Sequence, residues 1–364
     1  MVPPWANRLE IATLLGIRRP TNGLIGVDIT SATVKLLELE HQGGRLRVES
    51  WAVRPLPDNA VVERRIRDMG QVVMALSRAV DHASPRSRRA VVAVPTGAVI
   101  TKVLSMPLAF DDDEIAQRIA MESDRHIPFP FNEVALDFQR LGVNARYSDQ
   151  QDIMLVACRL QDVQLLTDAL TQVGLEPAAV DVESFAMERA SRHLLGQLTR
   201  NAASSSALID IGANMTAFHI LHQGRIVHTR DNVLGGRQLT DEIRQQYRAT
   251  YEEAGRAKKM GDLPNYEQRV LSPFRETLIQ QIMRLLQLYY TTAGAHRIDR
   301  LILAGGTSMI DGLPARLAEE SGLEVVHANP FQSMQIGSRI SSDSLARDAP
   351  AMMTACGLAM RHPG

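Results

Sequence analysis

Gly26-Val27-Asp28-Ile29-Thr30-Ser31-Ala32-Thr33-Val34-Lys35 is the stretch on which the fold turns. Leu24 to Asp28 is apolar enough for a buried strand, and Val34 to Leu39 restarts a strand after a short turn of small polar residues. A tight turn between strands aims several backbone N–H groups at one point, which makes an anion nest. Asp28 ends the first strand, where a carboxylate can hold a magnesium ion through its waters. Lys35 adds a positive charge for a phosphate chain. Any hairpin rich in Ser and Thr shares part of this pattern, so the reading needs a second copy.

Leu208-Ile209-Asp210-Ile211-Gly212-Ala213-Asn214-Met215-Thr216 supplies that copy: an apolar strand, Asp, Ile, a small polar turn, then a strand from Ala217 to Leu221. The two aspartates stand nearly half the chain apart. Two similar domains facing across a cleft, each giving an Asp-tipped phosphate turn, form the logic of an actin-like (ribonuclease H-like) α/β nucleotide-binding fold. A third element, Leu301-Ile302-Leu303-Ala304-Gly305-Gly306-Thr307-Ser308-Met309, is an apolar strand ending in Gly-Gly. Glycine there lets backbone approach a flat base and ribose. The three together, in this order, are far more specific than any one.

With 364 residues the chain can fill two sizeable cores, and 45% apolar and 22% charged residues are those of an ordinary globular protein. A net charge of −1 leaves no electrostatic footprint for nucleic acid. Only two cysteines occur, Cys158 and Cys356, both amid apolar residues, which reads as buried thiols without a disulfide framework. There is no run of 18 apolar residues and no signal-peptide pattern at the start, so the expected place is the cytoplasm, with any membrane reached through a partner. Lysine is rare, four against 36 arginines, yet Lys35, Lys258 and Lys259 fall in candidate sites. A compact ammonium at such places suits phosphate.

Residues 1–22 form a leader in which Trp5, Leu9, Ala12 and Leu15 keep helical spacing; a segment packed on the body and a membrane-surface helix both satisfy it. The first domain takes residues 23–95 and 176–200. Its third strand reads from Leu46 to Val53, and from Val62 the positions Ile66, Met69, Val73, Leu76 and Val80 mark one helix face. Pro85-Arg86-Ser87-Arg88-Arg89 reads as a solvated basic turn before a buried strand, Ala90 to Val94. Residues 96–175 read as a small inserted β-α-β-β-α subdomain. Its strands are Val99–Leu104, Val134–Gln139 and Ile153–Ala157, and Val163, Leu166, Leu170 and Val173 lie on its closing helix. Asp111-Asp112-Asp113-Glu114 suits a helix start better than a metal site. Four of the eight phenylalanines, Phe110, Phe129, Phe131 and Phe138, gather here, as a partner groove or as plain core.

Val180 to Leu195 reads as a returning helix, and Asn201–Ser206 as a linker into the second domain, residues 201–364, whose helical part spans about 236–297. His219, His222 and His228 fall on a hairpin, where His219 and His222 point to opposite faces and hold no metal. Leu234-Gly235-Gly236 leads into a helix with Leu239, Ile243 and Tyr247 on one face, and a glycine pair at a helix start can receive phosphate or ribose. Tyr251 to Lys259 and Phe274 to Tyr289 read as further helices, and Ala351 to Met360 as a final small-residue helix.

On these residues the chain resembles the actin-like ATPase superfamily, and within it the PilM family of type IV pilus assembly proteins. The run from Gly26 to Leu39 looks like the family's first phosphate motif. Ile127-Pro128-Phe129-Pro130 followed by Leu136-Asp137-Phe138 is similar to its small subdomain, and Gly235-Gly236-Arg237-Gln238-Leu239-Thr240 and Leu303-Ala304-Gly305-Gly306-Thr307 also match. The resemblance implies an ATP-binding cytoplasmic protein, peripheral at the inner membrane, that couples nucleotide state to pilus assembly and twitching. It implies a PilN N-terminal cytoplasmic tail in a groove between the first domain and the small subdomain, other inner-membrane components reached through PilN, and leaves self-association open.

By motif position, Asp28 and Asp210 would hold magnesium, Asp210 being also the candidate catalytic carboxylate. Thr30, Ser31, Ala32, Thr33, Lys35, Gly212, Ala213, Asn214 and Thr216 would surround the phosphates. Gly235, Gly236, Glu253, Lys258, Gly305, Gly306, Thr307 and Met309 would hold ribose and base. One departure stands out: the family usually carries Ala-Glu three residues before a lysine, its Glu contacting the ribose, whereas here Ala254-Gly255 precedes Lys258. A lost acceptor to a buried hydroxyl costs on the order of 1–3 kcal/mol, and Glu253 is the candidate substitute.

Three functions compete. A nucleotide-dependent scaffold needs different affinity for open and closed forms, with at most slow hydrolysis. A sugar-kinase-like phosphotransferase needs a base beside a substrate hydroxyl, for which Asp181 and Glu183 are the nearby acids. An FtsA-like division protein would be expected to end in an amphipathic membrane helix, and the sequence through Gly364 has none.

Overall fold

The computed structural model describes residues 23–198, 205–292 and 296–361. The leader of residues 1–22 and most of the expected linker lie outside the described residues. The chain falls into two compact units, one of residues up to Glu38, Trp51–Ala186 and from Arg361 on, the other of Leu39–Ser50 and Met187–Met360.

The first sheet opens with β1 (Gly23–Ile29), β2 (Thr33–Gln42) and β3 (Arg45–Pro55). β4 (Val61–Val62), β5 (Arg65–Ile66), α1 (Met69–Ala83) and β6 (Arg89–Val94) follow. β1 is buried from Gly23 through Asp28 and runs parallel to β6, with Val27 opposite Val92. An unbroken apolar run is what a strand covered on both faces requires. Its sheet has the order β10-β6-β1-β2-β3, where β10 is Glu176–Val182.

The helix expected from Val62 starts seven residues later. Glu63 and Arg64 take φ of 49° and 62°, so Val61–Val62 and Arg65–Ile66 turn back on each other as a hairpin. Asp68 then caps α1 by accepting from the Gln71 N–H at 3.1 Å. The buried face of α1 is Val72, Ala75, Leu76, Ala79 and Ala83, one position off the expected stripe through Val73 and Val80. The basic loop is not simply a solvated turn. Glu38 is 2% exposed, and its carboxylate accepts from the backbone N–H of Arg86 at 3.0 Å and of Ser87 at 2.7 Å.

β7 (Ile100–Pro107), α2 (Asp112–Met121), α3 (Ser123–His126), β8 (Val134–Val143) and β9 (Gln150–Arg159) form a small antiparallel sheet in the order β7-β9-β8 with its helices. Asp111 and Glu114 make a capping box, so the acidic run is a helix start. Met106, Ile115, Ile119, Ile153 and Leu155 fill this core, and Phe110, Phe129 and Phe138 pack against it. α4 (Leu160–Gln172), read as this block's closing helix, buries Val163, Leu166, Ala169 and Leu170 in the core beneath β1 and β6 instead. The expected helix start at Val180 is also corrected. Val180 to Val182 end β10, parallel to β6, and α5 (Glu183–Leu198) begins after them.

The second unit repeats the plan. β11 (Ser205–Ile211), β12 (Thr216–His222), β13 (Arg225–Asn232), β14 (Ile298–Ala304) and β15 (Glu324–His327) form a sheet in the order β13-β12-β11-β14-β15. Taken in chain order, both sheets place the first strand at the centre, the second and third on one side, and the fourth and fifth on the other. α6 (Gly236–Tyr247), α7 (Tyr251–Met260) and α8 (Ser272–Thr292) lie between β13 and β14. α8 buries Phe274, Leu278, Ile282 and Tyr289 against Ile209, Phe218 and Leu303 of the same core. α9 (Leu313–Ser321), β16 (Gln335–Ile336), α10 (Ser342–Asp348) and a fully buried α11 (Met353–Ala359) complete the unit. β16 pairs in parallel with Arg47–Val48 of β3.

Candidate functional site

In the first unit, β1 delivers Asp28 to the edge of a four-residue turn. Asp28 is 8% exposed, and the Lys35 ammonium, one strand across, lies 2.7 Å from its Oδ2. Thr30 closes the turn: its hydroxyl donates to the Thr33 carbonyl at 3.0 Å and accepts from the Thr33 N–H at 3.1 Å. Thr30 and Thr33 are thus engaged with each other, and the turn carries Ser31 and Ala32 half-exposed at its tip.

In the second unit the residues picked from four separate stretches converge. The Gly236 N–H donates to the Gly212 carbonyl at 3.0 Å and the Arg237 N–H to Ala213 at 2.8 Å, so α6 starts against the turn after β11. The Thr307 hydroxyl donates to the same Gly212 carbonyl at 2.9 Å, and the Lys258 ammonium to the Gly236 carbonyl at 2.5 Å. The glycines are required by this crowding. A Cβ on Gly235 would enter the Ala213 carbonyl, and one on Gly236 would strike Lys258 and Thr307. Gly305 takes φ +83°, and its Cβ would lie 2.5 Å from Asp210 Oδ1. Gly212, Ala213 and Asn214 stay half-exposed around this point, and Met309 is 41% exposed beside it.

Two expected ligands are engaged elsewhere. Thr216 is 1% exposed and its hydroxyl donates to the Leu234 carbonyl at 2.8 Å, which ties β12 to the start of α6. Glu253 is exposed, and its carboxylate accepts from the Thr250 N–H at 2.7 Å to close the capping box of α7. That hydrogen bond holds its carboxyl below the usual range. Gly255 stands in α7 with nothing within 4 Å of a Cβ. Ser308, His327 and Pro350, which spacing did not single out, hold the turn after β14: the Gly305 N–H donates to Pro350, and Ser308 bonds both Gly305 and His327. Each lies far in sequence from a recognisable motif or inside one as an ordinary small residue.

Among the described residues no group of three or more His, Cys, Asp or Glu could hold a metal by itself. Each of the two turns presents a single aspartate, Asp28 or Asp210. A groove of about 710 Å³ runs along α8 and α9 between Ile279, Met283 and Leu323, and includes none of the candidate residues.

The family described as type IV pilus assembly protein PilM matches residues 26–363. The chain belongs to this PilM family. It is similar to a solved PilM–PilN type IV pilus biogenesis complex, 25% identical, with a TM-score of 0.76 over 95% of this chain and 100% of that one. The ethanolamine utilization protein EutJ of Carboxydothermus hydrogenoformans shares the fold, with a TM-score of 0.53 at 15% identity over 97% and 93% of the chains. The cell division protein FtsA of Agrobacterium fabrum is 22% identical over 271 residues, 67% of this chain but 59% of that protein. This PilM-family chain is therefore an actin-like α/β protein of type IV pilus assembly. No helix among its described residues is long and apolar enough to cross a membrane.

Proposed function

We propose that this PilM-family chain is an ATP-binding scaffold of the pilus inner-membrane assembly platform, whose bound nucleotide is read by the N-terminal cytoplasmic tail of PilN. The observation that carries it is the meeting of Gly212, Gly235, Gly236, Lys258, Gly305 and Thr307, packed so closely that a Cβ at Gly235, Gly236 or Gly305 would strike neighbouring protein atoms. The half-exposed Gly212, Ala213 and Asn214 and the exposed Gly306 border this cluster with small residues, which suits a phosphate chain with its ribose and base. Asp28 and Asp210 would hold magnesium through its waters, and the bound ion would offset the charge of the phosphates. Gly255 leaves α7 without the family's ribose acceptor, and the exposed, capping Glu253 does not supply one.

Slow turnover fits the acids present. Asp181 is 5% exposed with Arg361 3.4 Å from its carboxylate, and Glu183 is paired with Arg64, so neither candidate base is poised for a substrate hydroxyl. Titration with ATP and magnesium tests the reading. Saturable binding that Asp28→Ala with Asp210→Ala abolishes is expected, and unchanged binding in that double variant rejects the site. Turnover above about 1 s⁻¹ would favour a phosphotransferase. PilN tail peptide is expected to bind near residues 96–140, and its failure to bind with or without ATP would remove the partner.

A further inference from the structure

The turn that follows β14 contains Gly305 and Gly306, the residues with the most backbone freedom to lose. It is held from three directions. The Gly305 N–H donates to Pro350 at 2.7 Å, the Thr307 hydroxyl to Gly212 at 2.9 Å, and the fully buried Ser308 hydroxyl back to the Gly305 carbonyl at 2.7 Å. Beyond these, Nε2 of His327 lies 3.0 Å from the Ser308 carbonyl oxygen. A carbonyl brings no proton, so the ring is the donor and carries its proton on Nε2. His327 ends β15, paired opposite Leu303, two residues before the glycines. Its ring therefore reaches over the end of β14 to pin the far side of the turn.

We infer that His327 is a positioning residue for nucleotide: by holding Ser308 it fixes the Gly305-Gly306 backbone in the conformation that meets the base and ribose. The inference rests on the ATP reading of this turn. It assigns an affinity role to a side chain behind the turn, which touches no ligand itself.

The test is titration of the full chain with ATP and magnesium, with unfolding temperature recorded for each variant. His327→Ala is expected to weaken binding about tenfold, the scale of one lost positioning hydrogen bond. His327→Gln keeps an amide donor at similar reach and is expected to stay within about threefold of the parent. Equal losses in the two variants would mean that only ring packing matters, and an unchanged His327→Ala would mean that the bond does nothing; either overturns the inference. If His327→Ala fails to fold, Ser308→Ala removes the next link and is expected to weaken binding to a similar degree, unchanged affinity again being fatal. Absence of saturable binding in the unaltered protein would instead bring down the ATP reading first, and this inference with it.

Discussion

The Lys35 ammonium and the Asp28 carboxylate stand 2.7 Å apart with only 13% and 10% of their side chains exposed. The turn after β1 thus supplies its own counter-ion. On the proposed reading, a polyphosphate would compete with Asp28 for the ammonium, and a metal with Lys35 for the carboxylate. Removing Lys35 takes from the largely buried Asp28 carboxylate the cation 2.7 Å away. Lys35→Met is expected to destabilise the protein by roughly 2–4 kcal/mol, while Lys35→Met with Asp28→Asn recovers at least half of that. Urea unfolding of both variants decides it, and equal losses would mean that the two groups are not coupled.

Glu38 offers a second test of buried charge. Its carboxylate accepts two backbone N–H groups of the Arg86–Ser87 loop at 3.0 and 2.7 Å. Glu38→Leu orphans both donors and is expected to cost about 3 kcal/mol, whereas Glu38→Gln keeps an acceptor and loses less than half as much. The same unfolding measurement would show the order reversed if the loop were held by its arginine side chains.

The glycines should separate by geometry. A Cβ on Gly305 falls 2.5 Å from Asp210 Oδ1 at φ +83°, but one on Gly306 meets only Ala351 Cβ at 4.0 Å. Gly305→Ala is expected to abolish nucleotide binding and Gly306→Ala to leave the fold intact. Gly255→Ala, in open space within α7, is expected to raise stability by about 0.5–1 kcal/mol. Calorimetry on the three variants checks the ranking.

Cys158 gives a pH prediction. Burial, with Asp162 adding to it, pushes the thiol from 9.0 to about 11. The unfolded chain therefore releases this proton first as pH rises, so the associated stability is present below about pH 9 and is lost toward pH 11. Cys158→Ala is expected to flatten the decline across that window by up to about 1.4 kcal/mol per pH unit. An identical slope in parent and variant would contradict the shift.

Local patterns were readable where neighbours in sequence do the work. Apolar runs ending in Asp28, Asp210 and Gly305 specify strand ends, and Asp111 with Glu114 specifies a cap, because strand alternation and capping act over a few residues. The hairpin at Val61–Ile66 was hidden because Glu63 and Arg64 adopt a left-handed conformation that neither residue type advertises. Glu38 lies 48 residues from Arg86, and Ser308 lies 19 from His327. Nothing in the spacing of such pairs announces them, since only the folded sheet brings them within reach. Glu253, the candidate beside the position of the family's acceptor, closes the capping box with Thr250, a pairing set by a three-residue spacing that also suits a cap.

Residues 39–50 belong with the second unit, where Arg47 and Val48 pair with Gln335 and Ile336 and the Gly337 N–H donates to Val48 at 2.8 Å. During synthesis this segment leaves the ribosome long before its strand neighbour. No single cut between these two segments yields two self-sufficient fragments, and maturation of the second unit must wait for Gln335 and Ile336 to emerge.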